Sequence, residues 1–455
     1  MSSQEEKEDS SIELTAECLC KANIFTTRVP RSQLPLEAVF CHCDSCRHVT
    51  GAMHSSEIMW SSSSAIQPSS SGLKRYAFSE RLGLLFCRVC GTPMFFESAK
   101  PTAAAGGKEG LEYGVFTGVL KNIDLGQNNL LFKITDHVFV RDTLDGGATP
   151  WLCDTNDEAA PRLWVGGRGK SELWTSPPPP QPQPQPQPQS QPPSTSSQGK
   201  EDDESKDDIY SIPVRCKCSG VDLLLRPSTV AFAKEKEEEQ QQDENKKLLL
   251  PWFIDPVTRR SHADYDACDS CRLACGADVL NWTFCLLRHL SFAPSPNNNN
   301  STSNTLPLPH TTTELKALIP SSTSPSPTEE EVEKKTPYYG TLTYYASSPD
   351  VQRYFCARCS ATVFYACDDR PDMVDLAAGL LCTTDRKGTG TGARAEDLLS
   401  WDFGGTMAWR TDAAGGWRER YISRIEDAAE RWRVERGVPK NWRRVQKEEA
   451  DGKKE

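Results

Sequence analysis

Most of the eighteen cysteines stand in pairs or trios, at spacings that suit a metal ion. In the first half they are Cys18 and Cys20, then Cys41, Cys43 and Cys46, then Cys87 and Cys90. A Cys-x-Cys or Cys-x-x-Cys turn lets two sulfurs reach one ion from a single tight bend. Zinc prefers four ligands in a tetrahedral array; structural sites fill all four, and catalytic sites leave one free. These ligands divide naturally into a set of four and a set of three. Two turns from distant segments close a four-thiolate site and tie the ends of a domain together. The middle trio, carried on one loop, then holds an ion with an open position. Such an ion can bind and deprotonate a further thiol, polarise a carbonyl or activate water.

The alternative use of so many cysteines is a disulfide framework. The first residues, Met1 to Ser11, are acidic and polar and lack the apolar core of a signal peptide. No apolar run approaches the roughly 20 residues that span a bilayer, so no membrane association is expected. We therefore expect a cytosolic or nuclear protein, in which thiols stay reduced and clustered cysteines hold zinc. The net charge of -11 argues against nonspecific nucleic-acid binding, which calls for a basic footprint.

The cysteine groups recur in order. Cys18-Leu-Cys20 is answered by Cys216-Lys-Cys218, Cys43-Asp-Ser-Cys46-Arg47 by Cys268-Asp-Ser-Cys271-Arg272, and Phe86-Cys87-Arg-Val-Cys90 by Phe355-Cys356-Ala-Arg-Cys359. Three matches in one order point to internal duplication. The second copy departs in two places: Asp266 stands where Cys41 would be, and Ser360 replaces Gly91. Asp266 can ligate through oxygen, and Cys275, one helical turn after Cys271, offers a replacement thiolate. The second copy is thus either a variant site or a degenerate, structural one, and we prefer the degenerate reading. Cys153, Cys285, Cys367 and Cys382 have no motif partner and read as buried inert thiols.

Around the clusters the texture is that of short strands, at 113–120, 130–134, 137–141, 338–345, 362–365 and 373–376, bounded by turn residues. A long helix is expected only near the end, over about 418–436. The Pro-Gln repeat and acidic run near 175–208 cannot bury apolar surface and read as a disordered, semi-stiff linker. Two further polar stretches, about 234–249 and 294–335, read as disordered insertions because matching motifs flank them. The expected organisation is a first domain at 12–174, the linker at 175–208, a second, divergent domain at 209–425, and a charged helix and tail at 426–455.

The ordered pattern Cys18-x-Cys20, Cys41-His-Cys43-x-x-Cys46-Arg47 with Gly51, and Phe86-Cys87-x-x-Cys90-Gly91-Thr92 resembles the glutathione-dependent formaldehyde-activating enzyme and centromere protein V family. The stretch His137-Val-Phe-Val-Arg141, with Trp151-Leu152 after it, is similar to the family's C-terminal part. The resemblance covers most of 12–152 and implies a mainly β fold of the Mss4-like, or β-tent, kind. It implies a structural zinc on Cys18, Cys20, Cys87 and Cys90, and a reactive one on Cys41, Cys43 and Cys46. Carried to the second copy, it implies a structural set of Cys216, Cys218, Cys356 and Cys359, with Cys268 and Cys271 in the divergent trio. The expected cofactors are two zinc ions in the first domain and one or two in the second. The lack of a glycine before Cys18, where Ala16 and Glu17 stand, is expected to alter the turn more than the metal.

The resemblance further implies a carbon–sulfur lyase that joins a small thiol such as glutathione to an aldehyde such as formaldehyde. A competing reading is a non-catalytic, zinc-stabilised protein- or chromatin-binding module, and a third is a redox-sensitive zinc buffer. His42 and His48, beside the trio, read as partly exposed loop histidines, with proton transfer as the alternative role. Arg47 and Arg272 read as partners of Asp44 and Asp269, with a substrate clamp as the alternative. The basic stretch 417–454 reads as a solvated helix laced with intrahelical ion pairs.

Overall fold

The computed structural model describes residues 11–60, 68, 72–101, 109–126, 129–157, 159–175, 210–242, 249–294, 306–324, 339–384 and 390–452. The Pro-Gln linker, and most of the second expected insertion, lie outside them.

The first half opens with a hairpin of β1 (Ser11–Glu17) and β2 (Ile24–Pro30). Its alternating burial places Phe25, Thr27 and Val29 inward, as a strand period of two requires. Ala16 and Glu17, which stand where a glycine was looked for, simply extend β1. The main sheet contains β3 (Leu36–Cys41), β4 (Ser55–Met59), β5 (Lys74–Ala77), β6 (Leu82–Phe86), β7 (Pro93–Pro101), β8 (Glu109–Phe116), β9 (Phe132–Val138) and β10 (Arg162–Leu163). Its order is β10-β9-β3-β4-β8-β7-β6-β5. Two short helices, α1 (Asp44–Thr50) and α2 (Thr149–Leu152), flank it.

In the second half β11 (Ile212–Arg215) and β12 (Asp222–Leu225) pair, and β15 (Leu290–Phe292) and β16 (Leu306–Pro307) widen that sheet. The larger sheet comprises β13 (Ser261–Asp266), β14 (Leu280–Leu286), β17 (Leu342–Ser348), β18 (Val351–Cys356), β19 (Thr362–Cys367), β20 (Met373–Ala377) and β21 (Leu399–Trp401). Its order is β17-β18-β19-β20-β14-β13-β21, which read backwards matches β9-β3-β4-β8-β7-β6-β5 strand for strand. The helices here are α3 (Ser228–Gln242), α4 (Asp269–Cys275) and α5 (Thr312–Leu318), the last closed by a Thr311/Glu314 capping box. Part of the stretch expected to be a disordered insertion is therefore helical, because α3 runs through Gln242. The architecture is mainly β, as the strand texture indicated.

The two halves share one continuous apolar core. At their junction the backbones exchange reciprocal hydrogen bonds: Gly118 N donates to Gly276 O at 2.9 Å, and Gly379 N donates to Gly51 O at 3.0 Å. A Cβ on Gly118 would lie 2.5 Å from Gly276 C, and one on Gly379 2.1 Å from Ala52 O, so the approach excludes any larger residue.

Helix α6 (Trp417–Glu435) locks this junction, and α7 (Trp442–Asp451) follows it. Trp417, Tyr421, Ile425 and Ala428 recur at helical spacing and are all buried. Trp417 and Tyr421 pack edge-on to Phe132 of the first half, and Trp432 packs against Phe403 of the second. This corrects the expectation of a solvated helix. A boundary at residue 425 would also cut α6, which begins at Trp417. Many of its arginines face outward to acids of the body, as in Arg420 and Arg424 to Asp157, Arg431 to Asp154 and Arg436 to Glu396. Those contacts partner much of the basic stretch within the chain. No helix of the described residues is long and apolar enough to cross a membrane.

Candidate metal centres

Each Cys-x-Cys pair sits on the turn of its hairpin, and each Cys-x-x-Cys pair on the turn after the strand that brings it close. The turn following β6 puts Gly91 at φ 76, and the turn following β18 puts Ser360 at φ 71. Ser360 thus adopts the left-handed backbone that Gly91 takes freely, and its hydroxyl donates to Val49 O at 3.3 Å. The substitution noted in the sequence leaves the turn intact.

Cys18, Cys20, Cys87 and Cys90 form one group of ligand atoms within 4.8 Å of one another, and Cys216, Cys218, Cys356 and Cys359 form another. Sulfur separations of 3.5 Å (Cys18–Cys20, Cys218–Cys356) and 3.6 Å (Cys20–Cys87) are close to the ~3.8 Å edge of a tetrahedron with 2.3 Å metal–sulfur bonds. Hydrogen bonds from Cys20, Cys87 and Cys90 hold Cys18 far below the ordinary thiol range, and Cys18, Cys20 and Cys87 push Cys90 far above it. Cys356 and Cys359 repeat that division. Cys87 is lowered too, to about 7, and so is Cys218. Two thiols in each cluster thus ionise more readily than a free thiol, and the other two need a divalent cation to offset the added charge. Asn23 supports the first cluster, its N–H reaching Cys18 Sγ at 3.3 Å and its side-chain amide Cys87 Sγ at 3.3 Å. The Thr341 hydroxyl lies 2.9 Å from Cys356 Sγ.

The trio has a different origin. Cys41 ends β3, and Cys43 caps α1, accepting the N–H of Cys46 on its sulfur at 3.3 Å. Cys41, Cys43 and Cys46 lie together, with no fourth His, Cys, Asp or Glu among the described residues in the group. Hydrogen bonding from Cys41 and Cys46 holds Cys43 well below the ordinary range, while Cys41 is pushed well above it by Cys43, Cys46 and burial. Three donors with an open side fit a zinc ion that keeps one position for a substrate.

The second half repeats the geometry with a different donor set. Cys268 caps α4 and accepts from Cys271 N at 3.2 Å. Asp266, Cys268 and Cys271 form the group, with Asp266 Oδ2 3.3 Å from Cys271 Sγ. Cys275 lies apart from it; its thiol is buried and directed at Ala277 O, 3.5 Å away. A cavity of about 610 Å³ opens over this group, bounded by Arg353, Tyr365 and Trp409.

Histidine placement differs from the loop reading. His42 is wholly buried, and its Nε2 shares a hydrogen bond of 2.8 Å with His137 Nδ1. His54 stacks on Phe40 beside them. Burial lowers all of these rings, His54 to about 4 and His137 to about 3, so they are neutral near pH 7. His48 is on α1, lowered to about 4 by burial and by Arg47. Arg47 and Arg272 pair with Asp44 and Asp269, the first of the two possibilities raised by the sequence; Arg47 also reaches Thr384, and Arg272 donates to Gly118 O at 2.6 Å. Both guanidiniums bind the two halves together. Among the unpaired thiols, Cys153 is pushed up to about 12 by burial, and Cys285 is raised by burial as well.

The sequence reading missed Glu57. On β4 it lies two residues beyond Ser55, which pairs with Cys41, so it shares the face of the sheet that carries Cys41. Burial alone pushes its carboxyl up to about 7. Its only sequence signal was one acid in an otherwise uncharged strand.

Compared with known families, residues 13–124 match the one described as glutathione-dependent formaldehyde-activating enzyme. No curated protein and no solved structure matches the chain. The matched segment contains Cys18, Cys20, Cys41, Cys43, Cys46, Cys87 and Cys90, the residues that the fold gathers into one cluster of four and one of three. The first half is therefore similar to the glutathione-dependent formaldehyde-activating enzyme family over residues 13–124.

Proposed function

We propose that the chain is a zinc-dependent carbon–sulfur lyase-type enzyme acting on adducts of a small, glutathione-like thiol with an aldehyde such as formaldehyde. The observation that carries this reading is the contrast between two complete four-thiol clusters and a trio lacking a fourth ligand among the described residues. Cys41, Cys43 and Cys46 hold the ion of the reacting site, and Cys18, Cys20, Cys87 and Cys90 hold one that fixes the domain. Bound there, zinc supplies Lewis acidity and a lowered thiol pKa.

In the synthetic direction the thiol sulfur bonds to the aldehyde carbon. The carbonyl π pair moves to oxygen, and the proton lost by the thiol ends on the new hydroxyl. Glu57, on the same face of the sheet as Cys41 and with its carboxyl raised by burial to about 7, is the acid we assign to take that proton and return it. His42 and His137, neutral and mutually bonded, keep the residue between Cys41 and Cys43 fixed, which holds the spread of the trio. We further propose that the halves are tandem copies of one domain, supported by the matching sheet orders. The test is exchange of the hydroxymethyl group between formaldehyde and small thiols, followed by NMR. Acceleration that disappears in Cys41→Ser supports the proposal, and an uncatalysed rate with zinc-saturated chain sinks it.

A further inference from the structure

The two trios have different surroundings. Cys356 occupies in β18 the place of Cys87 after β6, so three residues earlier Arg353 stands where the first half has Leu84. Likewise Leu280 pairs with Asp266 as Ser55 pairs with Cys41, so Trp282 takes the place of Glu57. The second site has thus lost the acid suited to proton transfer and gained a guanidinium.

Arg353 is only 7% exposed, yet it lines the cavity above Asp266, Cys268 and Cys271. Its Nη1 donates to Cys271 Sγ at 3.4 Å, its Nε to Ser347 Oγ at 3.3 Å, and its plane lies over Tyr365. Among the described residues Arg353 has no carboxylate partner within salt-bridge distance. The neighbouring Arg370 is taken, held by Asp375 at 2.8 and 3.2 Å and reaching Cys367 Sγ at 3.0 Å. When a divalent ion sits on one carboxylate and two thiolates, the group carries one net negative charge, which Arg353 balances. The floor of the cavity is then neutral and still presents guanidinium N–H donors beside an open position.

We propose that the second half is a ligand-binding site for a short thiol acid, whose carboxylate is received by Arg353 while its sulfur faces the Asp266–Cys268–Cys271 group. This rests on the reading of that group as a metal centre. The 3.4 Å contact between the guanidinium and Cys271 Sγ keeps Arg353 close to the group, which favours a ligand whose carboxylate and thiol are one or two carbons apart. The cavity lining also carries Asp264, Asp350, Asp369 and Asp412, which oppose an anion. They are screened by water and salt, whereas Arg353 acts from a desolvated position at short range, so the guanidinium dominates.

The experiment uses the full chain, zinc-saturated, with Cys41→Ser and Cys46→Ser silencing the first open site. Calorimetric titration compares mercaptoacetate, 2-mercaptoethanol and cysteamine, which are anionic, neutral and cationic thiols. We expect mercaptoacetate to bind at least tenfold more tightly than 2-mercaptoethanol. Arg353→Leu, the residue of the first half, should remove that preference, and Arg353→Lys should keep part of it. Equal binding of the acid and the neutral thiol overturns the proposal, as does tightest binding of cysteamine or a preference that survives Arg353→Leu. Failure of every thiol to bind also overturns it. Zinc content then separates the causes: two ions bound in the second half place the failure with Arg353, and one ion places it with the metal reading.

Discussion

Replacing Arg418 by methionine removes the cation from the most deeply buried ion pair of the junction. Arg418 and Asp278 side chains are each 2% exposed, and Nε donates to Asp278 Oδ1 at 2.8 Å. Arg418 Nη2 donates to Thr117 O at 2.6 Å, and the Thr117 hydroxyl donates to the other Asp278 oxygen at 2.6 Å. The pair thus ties α6 to the turn between α4 and β14 and to the residue that follows β8. Methionine fills most of the volume but leaves Asp278 charged, dry and held by one hydroxyl. Breaking one side of such a pair costs about 3–5 kcal/mol, a large share of the ~5–15 kcal/mol that stabilises a typical domain. Asp278→Asn keeps an acceptor for Thr117 and should cost less, about 1–3 kcal/mol. Combining Arg418→Met with Asp278→Leu removes both charges and should restore at least ~2 kcal/mol relative to the additive sum. The assay is urea unfolding of the zinc-saturated chain, followed by tryptophan fluorescence with the slope checked for constancy. A loss under about 1 kcal/mol for Arg418→Met, or strictly additive mutants, would refute the view that this pair locks the halves.

Glu57→Gln should change pH dependence in a defined sense. The raised carboxyl keeps its proton in the folded chain to about 7, whereas the unfolded chain loses it near the ordinary 4.5, so stability falls as pH rises between those values. The glutamine variant should therefore gain about 1–3 kcal/mol relative to wild type at pH 8 and nothing at pH 4, read from urea midpoints at both. If Glu57 carries the proton, its loss should also cut thiol–aldehyde exchange by about 10²–10⁴-fold and remove the limb of the rate profile centred near 7. Asn23→Ala removes the side-chain donor to Cys87 and should weaken zinc at the first four-thiol cluster by roughly 10- to 100-fold in chelator competition. Gly91→Ala should destabilise the same turn by at least ~1 kcal/mol, because its Cβ would meet the Phe355 ring at 2.5 Å and φ is 76, and a thermal melt reads this directly.

What the sequence revealed follows from the range of each interaction. Cys-x-Cys and Cys-x-x-Cys turns are local, so Cys18, Cys20, Cys87 and Cys90 could be named from spacing, and the strands around them from their β-branched and aromatic content. Asp266 was visible as the residue in the place of Cys41, and the structure does bring it to Cys268 and Cys271. Cys275 looked equally suitable by helical spacing, but α4 ends there and its thiol points to Ala277 O. Contacts between distant segments carried no such signal: His42 meets His137 only because β3 and β9 lie side by side. The burial of α6 was in principle readable from Trp417, Tyr421, Ile425 and Ala428 at helical spacing, but the density of charge around them masked the stripe. Arg353 was the least legible, since only the fold shows that a strand arginine opens onto the second cluster.

The central claim is that the first half holds one closed and one open metal centre, beside a closed centre in the second half. Zinc per intact chain, measured by plasma mass spectrometry after removal of loosely bound metal, tests it most directly. The account predicts at least three ions, and four where the Asp266–Cys268–Cys271 group also binds one, with one ion lost in Cys41→Ser. Two ions in the wild-type chain, accounted for by the four-thiol clusters alone, would contradict it and remove the physical basis of the proposed chemistry.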